Sequence, residues 1–150
     1  MILLTHLLFG ALIGQQIHIF WIAIILSFFG HYFLDFFPHI EYPIENITKN
    51  QWQKSFPDFL KVAIDFLLGI FVIFSLSNNS FIVYACSFFA ILPDGLSLLS
   101  RFCPNNKLLK NHDYFHHKKI HILKDKKISV FWRFLTQIIV VIIAIFLLKY

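Results

Sequence analysis

Charge is the scarcest ingredient of this chain. Asp, Glu, Lys and Arg together make up 14% of its 150 residues, against about 25% in a soluble domain. That deficit excludes a free cytosolic enzyme and a disordered chain. Cysteine is almost missing: Cys86 sits in an apolar run and Cys103 at the edge of a basic stretch. Two thiols so placed exclude a secreted disulfide scaffold and cysteine ligation of a metal, and they read as small hydrophobic side chains. Five glycines and five prolines are too few for a collagen-like chain. The N-terminus has no basic n-region and no small-residue cleavage site, so no removable signal peptide is expected.

Apolar residues are what the chain has in excess, at 58%, with twenty phenylalanines. A length of 150 residues makes one domain, 1–150, with no evident linker. A domain of that size cannot hide so much apolar surface within itself, so lipid must cover the remainder. The expectation is an all-α integral membrane protein.

Five apolar stretches mark the candidate spans: Ile2–Gly14, Ile17–Phe37, Asp58–Leu76, Ser80–Leu99 and Ile128–Leu148. The last four approach the roughly 20 residues that a spanning helix needs. The first is short, and is either a thin, tilted span or a re-entrant piece. Gln15-Gln16 and Ser75–Asn79 are turns, Pro38–Pro57 is a polar connection, and 101–127 is a long basic loop. Eight of the thirteen Lys and Arg lie in that loop. A nucleic-acid site would also be basic, but in so apolar a chain the positive-inside rule is the commoner cause. It places the loop in the cytoplasm, in contact with anionic headgroups. No nucleic-acid partner is expected, and the localisation is a prokaryotic inner membrane.

Sliding the chain against itself by 59 residues superposes His6 on Asp65, Gly10 on Gly69 and Asp35 on Asp94. Matches among phenylalanines are cheap here; matches among rare polar positions are not. The implied architecture is two helical hairpins of the same orientation plus one extra helix, about five transmembrane helices in all. Gly10 and Gly14 stand four residues apart, a spacing that lets helix backbones approach closely.

Acids inside apolar helices are costly, about 2.5–3.5 kcal/mol each near a bilayer centre and less toward its edge. Asp35, Asp65 and Asp94 therefore call for a cation, a base or water. His31 stands one turn before Asp35 on the same helix face. With the basic loop inside, His6, His31, Asp35, His39, Asp65 and Asp94 all fall near one depth by the inner leaflet, joined by the loop histidines 112, 116, 117 and 121. His18 belongs to the other side. Imidazoles and carboxylates meeting in a partly dry site suit Zn²⁺, Mn²⁺ or Fe²⁺, one or two ions. The metal set expected is His6, His31, Asp35, Asp65 and Asp94. His39, His116 and His121 are candidates for acid–base work or further ligation. Lys118 and Lys119 are placed to hold a phosphate headgroup. Pro38 and Pro93 are expected to break their helices beside Asp35 and Asp94, freeing carbonyls there.

Several short motifs agree with this. Thr5-His6-xxx-Gly10, Leu92-Pro93-Asp94, His116-x4-His121 and Gly30-His31-xxx-Asp35-xx-Pro38-His39 resemble those of the membrane-bound metal-dependent hydrolases called LexA-binding, inner-membrane-associated hydrolases. The chain departs from that family where a second acid is usual, reading Pro93-Asp94-Gly95-Leu96-Ser97, and where His-Arg-Gly-x-Thr-His is usual, reading 116–121 as His-His-Lys-Lys-Ile-His. The resemblance implies a metal-dependent hydrolase. The expectation is hydrolysis of an ester or phosphoester, on a lipid or other amphiphile reaching the cytoplasmic face by lateral diffusion. An Asp/His-based ion or proton transporter and a non-enzymatic scaffold binding a cytosolic partner through 101–127 are the alternatives.

Overall fold

The computed structural model describes residues 1–120 and 128–150. Among the described residues every regular element is helical: α1 Leu3–Gln16, α2 Phe20–Phe36, α3 Glu45–Thr48, α4 Phe56–Leu76, α5 Phe81–Phe102, α6 Lys107–Phe115 and α7 Val130–Lys149. Three of them, α4, α5 and α7, are long and apolar enough to cross a membrane, and α2 is a shorter apolar helix. The five apolar stretches of the sequence thus correspond to α1, α2, α4, α5 and α7.

Local chemistry sets most of the ends. Pro38 disfavours helical geometry at the residue before it, and Phe37 is extended (φ −78°, ψ 153°) just where α2 stops. Pro57 lies in the first turn of α4, where its missing N–H breaks no bond. Beyond α4, Asn79 takes a left-handed φ of 54°, which an Asn tolerates better than most residues. Pro93 departs from expectation. It ends nothing, and α5 runs through it to Phe102. Its missing N–H costs the helix one bond, the one to the Phe89 carbonyl four residues earlier.

The two polar connections are folded. Between α2 and α4 lie α3 and a 3₁₀ turn at Trp52–Lys54. Asp58 caps α3 by accepting from the amides of Asn46 (2.8 Å) and Ile47 (3.3 Å). The basic stretch carries α6 and a π-helical turn, His116–Ile120, rather than an open loop. Asn106 starts α6, its Oδ1 accepting from the amides of Leu108 and Leu109.

Helix α1 is the axis of the bundle and packs against α2, α4, α5 and α7. Leu7, Leu8 and Ala11 of α1 meet Ile73 of α4, Val83 of α5, and Ala144 and Leu148 of α7 in one apolar core. Glycine makes the closest of these contacts possible. A Cβ on Gly10 would stand 2.5 Å from the Cys86 carbonyl oxygen, and one on Gly14 would stand 2.7 Å from that of Ile82. The far ends of α1 and α7 are tied by Gln15 Nε2 donating to the Leu148 carbonyl at 2.9 Å. At the near end Thr136 of α7 donates to the Pro38 carbonyl just past α2. Hence α1, α4 and α7 run one way and α2 and α5 the other. The outer faces carry Phe29, Phe33, Phe71, Phe74 and Phe146, each 60–67% exposed. Such a surface accords with helices long and apolar enough to cross a membrane.

Candidate metal centre

Asp35 lies in the last turn of α2 and is 1% exposed. One turn earlier, on the same face, His31 brings its Nε2 to 3.2 Å from Asp35 Oδ2. The other ring nitrogen of His31, Nδ1, is 2.7 Å from the Ala90 carbonyl oxygen. A carbonyl only accepts, so Nδ1 carries the proton and Nε2 of the neutral ring presents its lone pair. Ala90 sits in the turn before Pro93 on α5.

Two more side chains converge on Nε2. His116, at the start of the π-helical turn, places its own Nε2 3.0 Å from that of His31 and 3.1 Å from Asp35 Oδ2. Its Nδ1 meets the Ser97 hydroxyl at 3.1 Å, a partner that donates or accepts as required. Asp94 of α5 contributes Oδ1, 3.6 Å from His31 Nε2 and 4.0 Å from His116 Nε2. His31, Asp35, Asp94 and His116 form a group that could hold a metal ion, with one ligand atom from each and all four within 4.8 Å of one another. Two donors at about 2.1 Å from one tetrahedral ion stand about 3.4 Å apart, the range these separations occupy. The donor chemistry also fits. Imidazole lone pairs aimed at carboxylates repel unless a cation or proton lies between them, and His31 is pinned in that orientation by a backbone carbonyl.

Around this group the other expected residues fall into place unevenly. His6 of α1 is fully buried, stacks on His31 with ring centroids 4.1 Å apart, and puts Nε2 3.2 Å from Asp35 Oδ1. Neither of its ring nitrogens makes a hydrogen bond. The Met1 amino group also lies against Asp35 Oδ1. His39 turns Nδ1 to the Phe37 carbonyl at 2.7 Å and Nε2 to Glu41 Oε1 at 3.1 Å, with Asp35 Oδ1 at 3.8 Å. Asp65 is not in the group. Its Oδ2 accepts from the first amides of α1, Leu3 at 2.6 Å and Leu4 at 3.3 Å, so it caps a neighbouring helix instead of joining the histidines. Lys118 and Lys119 are exposed on the π-helical turn and are absent from the cavity wall described next. His121 lies outside the described residues.

A cavity of about 620 Å³ opens beside Asp94 and His116. Its walls are apolar, with Phe59, Val62 and Phe66 from α4 facing Ile91 and Leu98 from α5. Arg101, Asp113 and His117 close one end, where Arg101 reaches Asp113 Oδ2 at 3.2 Å and His117 meets Asp113 Oδ1 at 3.2 Å. Asp94 is the group's open member, its side chain 34% exposed. Sequence reasoning missed Ser97 and Arg101, although a signal was present: with Asp94 they form a polar stripe at i, i+3 and i+7 on α5.

Outside the apolar helices, burial tunes the titrating groups. It holds His116 below its ordinary range, against the pull of its hydrogen bond to Asp35. Burial lowers His112 in the same way, beside the Tyr32 hydroxyl at 2.9 Å. Tyr42, on the cavity wall, is pushed up by burial first and then by the charge of Asp65. Imidazoles kept neutral are the form that binds metal. No protein-family model, curated protein or solved structure matches this chain, and the reading of the centre rests on its own geometry.

Proposed function

We propose that this chain is a membrane-embedded, metal-dependent hydrolase that cleaves an ester or phosphoester of a lipid or other amphiphile at the cytoplasmic face. One observation carries the reading: a buried His/Asp group meets a largely apolar cavity through its most exposed member, Asp94. In this reading His31, Asp35, Asp94 and His116 hold a divalent ion, zinc, manganese or iron, which supplies Lewis acidity and lowers the pKa of water toward about 7. The chain's own residues do the rest. The α4 and α5 side chains take the apolar tail, Arg101 orients an anionic headgroup, and packed α1 keeps water away from the far side of the centre. A volume of about 620 Å³ is in the usual range for a small-molecule site. The motif resemblance noted above points the same way.

Charge supports the orientation. Lys49, Lys54, Lys61, Arg101, the α6 lysines and Arg133 lie toward the end of the bundle that holds the group, whereas Lys149 ends α7 at the other. The far half of the bundle is closed by the apolar core and the α1–α5 contact, which favours a one-sided site over a transport path.

Metal analysis of the detergent-purified protein tests the core of this. The wild type is expected to carry at least one equivalent of transition metal. Asp94→Ala and His116→Ala are expected to lose it, and with it any chelator-sensitive hydrolysis of phospholipid or aryl-ester substrates. A folded, metal-free wild type that takes up no ion on reconstitution ends the proposal.

A further inference from the structure

We infer that Asp35 bridges two cations, and that His6 and His39, with Glu41, hold a second ion on the carboxylate oxygen opposite the first. The inference rests on the metal reading above and extends it to residues outside the four-membered group.

The two oxygens of Asp35 keep different company. Oδ2 faces His31 and His116 at 3.2 and 3.1 Å. Oδ1 faces the buried Met1 amino group, a positive charge standing where a second cation would, with His6 Nε2 at 3.2 Å and His39 Nε2 at 3.8 Å. Glu41 Oε1 then lies 3.1 Å from His39 Nε2. Taken pair by pair, these separations are close to the roughly 3.4 Å between two donors on one tetrahedral ion. A carboxylate with a nitrogen set on each oxygen is the usual bridge between ions about 3.5–4 Å apart, the spacing of two-metal hydrolytic sites.

His6 supplies the independent argument. Its side chain has 0% exposure, its Nε2 stands 3.2 Å from Asp35 Oδ1, and neither ring nitrogen makes a well-formed hydrogen bond. Buried polar atoms are rarely left so, because water would have satisfied them in the unfolded chain. A buried imidazole aimed at a carboxylate oxygen, with no well-formed hydrogen bond on either nitrogen, is what a ligand looks like before its ion is counted. His39 repeats the device of His31: its Nδ1 is tied to a backbone carbonyl, here Phe37 at 2.7 Å. That fixes a proton on Nδ1 and turns Nε2 toward two acids, where it either donates to Glu41 Oε1 or, deprotonated, meets an ion. Glu41, 35% exposed, stands at the entrance to this side of Asp35.

The test is stoichiometry. Purified protein is stripped with chelator, reloaded with Mn²⁺ alone, and counted by elemental analysis with EPR on the same samples. The wild type is expected to bind two equivalents with a spin-coupled signal. His39→Ala, on the segment after α2, is expected to bind one equivalent with an isolated-ion signal. His6→Gln repeats the measurement from α1, and gel filtration confirms that each variant is folded. A wild type with one equivalent that neither variant reduces overturns the second ion and leaves the first centre standing, with the Met1 amino group as the counter-charge on Oδ1. Two equivalents in folded variants, or loss of both, also overturns it. A wild type that binds none removes the metal reading itself.

Discussion

The first amides of an α-helix have no acceptor within their own helix, and inside a bundle water cannot supply one. For α1 the acceptor is Asp65, reaching across from α4 to Leu3 and Leu4. Asp65→Leu is therefore expected to lower thermal stability by about 1 kcal/mol, the cost of stranding half-buried donors, while leaving metal content at its wild-type value. Metal loss from a folded Asp65→Leu protein would return Asp65 to the ligand set. The sequence placed Asp65 at the right depth but with the wrong company. Counting residues from a helix end gives depth, whereas the direction a side chain faces depends on which helices are neighbours, and α1 lies between Asp65 and the histidines. Asp35 and Asp94 were legible because α2 and α5 run the same way and carry both acids toward the same end of the bundle. His116 was legible as a candidate for acid–base work or further ligation, and it stands in the four-residue group. Its placement there depends on α6, capped by Asn106 within a stretch expected to be an open loop.

Between elements, the decisive contact is α1 against α5. In an apolar solvent helices gain little from burying leucine, so close backbone approach carries much of the association. Gly10 makes that approach beside Ala90, whose Cβ would lie 2.7 Å from a Cβ placed on Gly10. The Ala90 carbonyl is also the group that orients His31. Gly10→Val is expected to push α5 outward, destabilise the bundle by about 1–3 kcal/mol, and weaken metal retention although no ligand has changed. Gly95→Ala is the control, since a Cβ there meets nothing within 4 Å. Thermal melts and metal content of the two variants check this, and equal behaviour would mean that the α1–α5 spacing does not set the centre. The close approach was readable from the Gly10–Gly14 spacing. What was not readable is that α5 runs through Pro93, because the packing of α1 and α2 along that helix comes from other parts of the chain.

At the scale of the molecule, an apolar girdle meets a lopsided distribution of charge. Helix α7 places Trp132 near its start, with Leu148 sixteen residues on, about 24 Å at the α-helical rise. Trp21 stands near the start of α2 at the opposite end of the bundle, 72% exposed. Indoles at both ends of an apolar band are the usual markers of the two membrane interfaces. Helix α1, fourteen residues long, is shorter than the roughly 20 that a lipid-facing span requires. Surrounded by four helices, it need not match the bilayer, since its termini are met by Asp65 at one end and by its own Gln15 bonded to Leu148 at the other. The short first stretch, ambiguous in the sequence, is thus the central strut of the fold. Native cysteines give a direct reading of orientation. Cys103 is exposed just beyond α5, at the end that holds the His/Asp group, and Cys86 is buried. A membrane-impermeant maleimide is expected to leave Cys103 unlabelled in intact cells and to label it once they are permeabilised. Asn78→Cys, made in a Cys103→Ser background and lying in the turn after α4, should label in intact cells. The opposite pattern would turn the centre outward and overturn its cytoplasmic assignment, while the geometry that joins His31, Asp35, Asp94 and His116 would be untouched.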